Sequence, residues 1–273
     1  MSRKQASRQF ATDSRAVSAV IGFILIFGIL MLLLTVYQAQ IVPQQNAQTE
    51  FTHFEETRDE LIELRNSISR SGQAGDPQFP SVQLGTSYQS RILTINPAPP
   101  AGTVQTSEEY NISINNGSED PVNVSTRFIE YQPGYNELTI GSTWYDHSVL
   151  YVDNPESNNT VLEDQNLVTD GSELKITAIE SEFQETGTSR TTFEINRNQS
   201  EIDLSKFEEG ENLTVTIPTR QSGPEYWDAA YDDLDAEANI RYDGVDEHGE
   251  IYHLSLNATG KSDLSIKTVE IES

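Results

Sequence analysis

The stretch SRAVSAVIGFILIFGILMLLLTVYQAQIVPQQ, residues 14–45, decides how the rest of this 273-residue chain is read. Its centre, Ala19–Tyr37, carries no charged side chain. At 1.5 Å per residue a helix of that length rises about 28 Å, close to the roughly 30 Å hydrocarbon layer of a bilayer. Arg3, Lys4, Arg8 and Arg15 precede the run, and no basic residue follows it until Arg58. By the positive-inside rule the N-terminus is expected in the cytoplasm and everything after Tyr37 outside. A conventional secretion signal fits poorly. Its apolar core is shorter, and small residues in an A-x-A-like pattern close it, whereas here bulky Tyr37 stands at the exit in TVYQAQIVP.

The helix is expected to continue. Phe54, Leu61 and Ile68 recur every seven residues, with Phe51 and Leu64 in the same stripe and six carboxylates on the other faces. Thr57 interrupts the stripe, which argues against a long coiled coil. Pro43 is expected to kink the helix or to part its two halves. Gly72, Gly75 and Pro77 end it. The resulting division is a leader (1–16), an N-terminal helix (17–71; transmembrane 19–37, amphipathic 44–70), a linker (72–80) and an outer domain (81–273).

In the outer domain the period changes. RILTIN (Arg91–Asn96), YNISI (Tyr110–Ile114), PVNVSTRFIEY (Pro121–Tyr131) and STWYDHSVLYV (Ser142–Val152) read as strands. So do ELKITAIES, TTFEI, NLTVTI, IYHLSL and LSIKTVEI further on, with Gly, Asn, Asp and Pro between them. The expected fold class is α+β: a long transmembrane and amphipathic helix, then an antiparallel β-sandwich-like domain. Trp227, Ala230, Tyr231 and Leu234 at helical spacing after a Pro predict a short inserted helix over Glu225–Ala236.

Composition narrows the function. Acids outnumber bases 43 to 17, for a formal net charge of −26. The first 16 residues hold four bases and one acid, so the rest is more acidic still. Clustered cations for phosphate are missing, and nucleic acid is not an expected partner. Such self-repulsion is tolerated where salt screens it, and the acid excess with Lys scarcer than Arg suggests a halophilic host. Cysteine is absent, which removes disulfides and thiolate chemistry. The sequence has no G-x-S-x-G elbow, H-E-x-x-H pair or P-loop. His53, His147, His248 and His253 are scattered; His248 and His253 with Asp246, Glu247 and Glu250 read as an acidic loop rather than a metal site. Asp232, Asp233, Asp235 and Glu237 lack the Gly and closing Glu of a calcium loop. We expect no enzyme, no metal and no cofactor. Seven Asn-X-Ser/Thr sequons, at Asn111, Asn116, Asn123, Asn158, Asn198, Asn212 and Asn257, all follow the apolar run. Export would make them candidates for N-glycosylation, with Asn111, Asn212 and Asn257 hindered by their strands.

The front edge of the apolar run is Arg15-Ala16-Val17-Ser18: basic, small, apolar, small. This resembles the processing site of archaeal type IV pilin-like proteins, and VSAVIG (Val17–Gly22) resembles the start of haloarchaeal mature pilins. Ala19 stands where that family usually has Pro. The resemblance covers about the first 55 residues. It implies cleavage between Ala16 and Val17 by a prepilin-type peptidase, retention of the helix, and close packing through Ser18 and Gly22 against the chain's own copies or other pilin-like subunits. The implied role is a structural or adhesive cell-surface protein anchored by its helix or assembled through it. The alternative is an uncleaved, signal-anchored single-pass protein whose β-sandwich binding domain never polymerises.

Overall fold

A computed structural model of the chain describes residues 14–92, 95–118, 120–154, 159–169, 171–199, 202–221, 224–232, 238–248 and 251–273. Helix α1 (Ser14–Val36) passes through a π-helical turn (Tyr37–Ile41) into helix α2 (Val42–Ala74). The strands follow in order: β1 (Ser81–Gln83), β2 (Gly102–Thr106), β3 (Tyr110–Asn115), β4 (Val122–Thr126), β5 (Ile129–Gln132), β6 (Thr143–Asp146) and β7 (Val149–Val152). Next come β8 (Thr160–Glu163), β9 (Val168–Thr169), β10 (Glu173–Ile179), β11 (Gln184–Gly187), β12 (Arg190–Thr192), β13 (Glu194–Arg197) and β14 (Leu213–Thr219). Helix α3 (Pro224–Tyr231) precedes β15 (Ile240–His248), β16 (Ile251–Ala258) and β17 (Leu264–Glu272). The chain is thus one long, initially apolar helix followed by a mostly antiparallel β domain.

Pro43 does not break the helix. It lies in the first turn of α2, where its missing N–H costs nothing, and the wider π turn just before it absorbs the clash of its ring with the preceding carbonyl. α2 runs on to Ala74. Gly75, at φ +84°, closes it by donating its N–H to the Ser71 carbonyl at 2.9 Å. The segment expected as a linker is docked: Gln78 exchanges backbone hydrogen bonds with Ile195, and the Phe193 N–H reaches the Pro80 carbonyl at 2.8 Å.

The strands form a five-stranded sheet (β15-β16-β14-β3-β4), a six-stranded sheet (β11-β2-β5-β6-β7-β8), a four-stranded sheet (β13-β17-β10-β9) and the pair β1-β12. In the four-stranded sheet β10 and β17 run parallel, a departure from the antiparallel expectation. This sheet lies between two apolar cores. Leu174, Ile176, Ala178 and Ile266 join Ile114, Val215, Leu254 and Trp227 on one side. Ile179, Val269 and Ile271 join Leu61, Leu64 and Ile68 of α2 on the other. Period-two alternation divides each strand between the cores. A parallel pair buried on both faces shows no polar side to mark it in sequence.

Further sequence expectations are corrected. Arg91, Ile92, Ile95 and Asn96 are loop rather than strand, because their polar groups bond to side chains of the helix instead of to a neighbouring strand. STWYDHSVLYV is not one strand but the hairpin β6–β7, and PVNVSTRFIEY is two strands, β4 and β5, in different sheets. In the stripe on α2, Leu61, Leu64 and Ile68 face inward as expected, but Phe51 is 46% exposed and Phe54 half-buried. For the helix expected over Glu225–Ala236, the structure has α3 ending at Tyr231, with Trp227 fully buried and stacked on Tyr231 at 5.9 Å; residues 233–237 lie outside the description.

Candidate functional site

α1 is long and apolar enough to cross a membrane, and it is bare. Val20, Phe23, Ile24, Leu25, Leu32 and Leu33 are all more than half exposed, and nothing from the β domain covers them. Between Arg15 and Glu50 no residue is charged. The backbone is helical through residues 14–17, which contain the Arg15-Ala16-Val17 site; their side chains lie outside the description. Ser18 is exposed, and a Cβ added at Gly22 would meet nothing within 4 Å. Any packing through these two residues therefore needs a partner from outside the chain.

α2 is held in a different way. Its buried face runs Asn46, Glu50, His53, Thr57, Leu61, Leu64, Ile68 and Ser71, at successive three- and four-residue steps. The N-terminal part of that face, Asn46 to Thr57, is polar, and Leu61, Leu64 and Ile68 further on are apolar. Glu50 is fully buried and accepts four hydrogen bonds. Oε1 takes the Tyr88 hydroxyl and the Asn136 N–H (2.8 Å); Oε2 takes the N–H groups of Glu137 (3.0 Å) and Leu138 (2.9 Å). Three successive backbone N–H groups make an anion-binding nest, and the helix supplies the anion. Desolvation, then the bond to Glu50, push the Tyr88 phenol up to about 12, so it stays a donor.

Two turns on, α2 covers the edge of β1. The Gln83 N–H donates to Glu60 Oε2 at 2.6 Å, and the Gln83 carbonyl accepts from His53 Nε2 (3.1 Å) and Thr57 (3.3 Å). A carbonyl can only accept, so Nε2 carries the proton and Nδ1 accepts from the Tyr135 hydroxyl at 2.8 Å. His53 is thereby fixed in one neutral tautomer, and burial lowers its pKa. The edge that would otherwise invite another strand is capped by the helix.

The far end of the seat is Arg65. Its Nε donates to the Ser148 carbonyl and its Nη2 to the Asp164 carbonyl, both at 2.7 Å. Ser148 and His147 form the tip of the β6–β7 hairpin, with φ of +88° and +43°. Such two-residue tips favour Asn-Gly, and a non-glycine pair there is strained. The tip is nonetheless buried, with His147 edge-on to Phe128 at 5.6 Å and Ser148 Oγ accepting the Asn166 N–H at 2.9 Å. Asp146 Oδ2 accepts from the Thr219 hydroxyl (2.7 Å) and from the N–H groups of Arg220 (2.7 Å) and Gln221 (2.9 Å).

Desolvation acts oppositely on these two neighbours: His147 is pushed down to about 4 and Asp146 up to about 6. Between pH 6.5 and 4 the unfolded chain holds the His147 proton and the folded chain does not, so stability falls as pH falls through that window. Between pH 6 and 3.8 the folded chain holds the Asp146 proton and the unfolded chain does not, so stability rises as pH falls. At 1.36 kcal/mol per unit each effect is about 3 kcal/mol, and they largely cancel. Asp146→Asn removes the second and exposes the first. Relative to wild type, the variant should lose about 3 kcal/mol between pH 7 and pH 4, read from urea midpoints.

The other expected positions are dispersed. Asn111, Asn116, Asn123 and Asn212 are exposed; Asn198 and Asn257 are half-buried, with Asn257 Oδ1 accepting from Thr214 at 2.8 Å in the middle of its sheet; Asn158 lies outside the described residues. Exposure at Asn111 and Asn212 departs from the expectation that strands hinder them, since Asn111 points off its sheet and Asn212 precedes β14. Asp246 and His253 are cross-strand partners in the β15–β16 hairpin, while Glu250 lies outside the description. Among the described residues no group of three or more His, Asp or Glu converges as a metal site. Sequence reading missed Glu50, His53, Thr57 and Arg65 as a functional face; uncharged or oppositely charged residues on the face that also carries Leu61 and Ile68 were the available signal.

No family model matches the sequence, and no solved structure does. An uncharacterized protein of Archaeoglobus fulgidus is 24% identical over 242 residues, covering 85% of this chain and 40% of that protein. The chain thus spans well under half the length of this archaeal relative.

Proposed function

We propose that the chain is a type IV pilin-like cell-surface protein, with α1 as its membrane anchor and, on assembly, its contact with other subunits. The N-terminus lies in the cytoplasm, and the acidic, sandwich-like β domain faces outward in a salt-rich medium, where its exposed sequons are open to glycans. The observation that carries this reading is the contrast along one continuous helix. α1 is bare over its whole apolar length, while α2 is fastened to the β domain by buried charge–backbone bonds at two heights. A tether needs no rigid joint to its cargo. A subunit whose helix must enter a shared core at a defined angle to its head does. The role is structural or adhesive rather than enzymatic. Ser18 and Gly22 would let helices approach closely, and the charge on the heads would keep assemblies soluble.

The mature N-terminus of membrane-extracted protein tests the reading. A start at Val17 is expected, after a prepilin-type peptidase removes the residues through Ala16. A start at Met1 or Ser2 would instead make the chain an uncleaved, non-polymerising surface anchor. In that case filaments sheared from cells would lack it while membranes retained it.

A further inference from the structure

Residues 86–92 leave the β domain and run down beside the helix, and residues 95–100 lead back. The base is closed by the Thr86 N–H on the Pro100 carbonyl at 3.2 Å. On the way down Tyr88 bonds to Glu50, and Arg91 Nη2 donates to Gln45 Oε1 at 2.9 Å and Nη1 to Asn46 Oδ1 at 3.2 Å. At the bottom the Gln38 amide brackets one residue: its Nε2 donates to the Ile95 carbonyl (2.9 Å), and its Oε1 accepts the Ile95 N–H (3.1 Å). The return leg passes Ala98, whose carbonyl accepts from Asn136 Nδ2 at 3.0 Å, back at the level of Glu50. From Glu50 to Gln38 is twelve residues, a descent of about 18 Å. Gln38 directly follows Tyr37, the last residue of the apolar run.

The loop therefore ends where the membrane-spanning segment ends, and there it presents apolar side chains to the outside. Ile92 is 100% exposed and Ile95 84% exposed, and Ile41, about one turn after Gln38 in the helix, is 42% exposed. Both isoleucines lie outside the cores, yet Ile95 is held to the helix through its own N–H and carbonyl, and Arg91, next to Ile92, through its guanidinium. Isolated exposed apolar residues need no explanation, but one bracketed at the end of an apolar helix, with a second three residues before it, does.

We propose that this loop is a second membrane contact: Ile92 and Ile95 enter the outer headgroup–acyl boundary beside α1. The occupant is lipid, because Ile95 is held against Gln38, the residue that directly follows the apolar run of α1. Penetration of about 5–10 Å is typical of interfacial apolar groups. One transmembrane helix leaves its domain free to swivel and tilt. A second contact fixes the tilt of the β domain on the membrane. The proposal rests on α1 being in the bilayer.

The absence of cysteine allows single labels on the full-length chain. Environment-sensitive fluorophores at Ile92→Cys, Leu33→Cys in α1 and Ser118→Cys on the exposed turn between β3 and β4 would be compared in phosphatidylcholine vesicles. Nitroxide lipids labelled near the headgroup or near the chain end would serve as quenchers, with iodide in the water. The expected result is headgroup-level quenching at Ile92, chain-end quenching at Leu33, and iodide quenching at Ile92 about 5-fold weaker than at Ser118. If Ile92 is as open to iodide as Ser118 while Leu33 stays lipid-quenched, the loop proposal fails and the anchor stands. If Ile92 is shielded from iodide without lipid quenching, and its labels self-quench as protein density rises, a second copy covers the loop and lipid does not. If Leu33 itself is open to iodide, anchor and loop contact fail together.

Discussion

Glu50→Ala is expected to lower the thermal unfolding midpoint of the full chain in detergent by about 10 °C, the largest effect of any single truncation on α2. The substitution leaves the N–H groups of Asn136, Glu137 and Leu138 and the Tyr88 hydroxyl without their acceptor. Buried donors are the costly groups to orphan, at about 1–3 kcal/mol each. Partial relaxation toward water brings the total to roughly 4 kcal/mol, and for a domain near 200 residues each kcal/mol is worth about 2–4 °C. Glu50→Gln should recover little, because its amide nitrogen would point a donor at other donors. Hydrogen exchange should accelerate first at residues 136–138 and in the neighbouring turns of α2. A variant whose midpoint moves by less than about 1 °C would show that the carboxylate does not fasten the helix.

Arg65→Ala should cost about 3 kcal/mol by urea unfolding. Here the orphaned groups are two carbonyls, Ser148 and Asp164, which tolerate under-satisfaction better than N–H groups do. The larger part of the loss comes from the hairpin tip, where His147 and Ser148 sit at positive φ and lose the clamp that holds them. Ser148→Gly should therefore restore part of the stability in the Arg65→Ala background, because glycine relieves that strain. Absence of any rescue would place the cost in the guanidinium's packing alone.

Glu50 and Arg65 show where sequence reading stops. A heptad stripe of Phe54, Leu61 and Ile68 implies an apolar face, and its Leu61–Ile68 end is as implied. Toward the N-terminal end, Glu50 and His53 read as solvent-facing because they are polar, and Thr57 as an interruption of the stripe. They are buried because the β domain brings a nest of N–H groups and an unpaired strand edge to meet them. Burial of a polar side chain depends on its partner, and the partners lie between 26 and 88 residues away. The loop at Ile92 fails for the converse reason. RILTIN has the composition of a strand, but composition does not say whether a neighbouring strand is free to pair with it.

What the sequence determined by itself follows from short-range physics. An uncharged run of bilayer length and the change from a 3.6-residue to a two-residue period specify an apolar helix followed by a β domain. The runs of alternating residues mark many of the strands, because alternation is local. Tertiary structure alone decided the parallel pairing of β10 with β17, the polar seat of α2, the buried strained tip at His147–Ser148, and the descent of the Ile92 loop to the end of the apolar run. Each of these depends on which distant group satisfies a backbone or side-chain hydrogen bond. That is a property of the packed chain and not of any window of sequence.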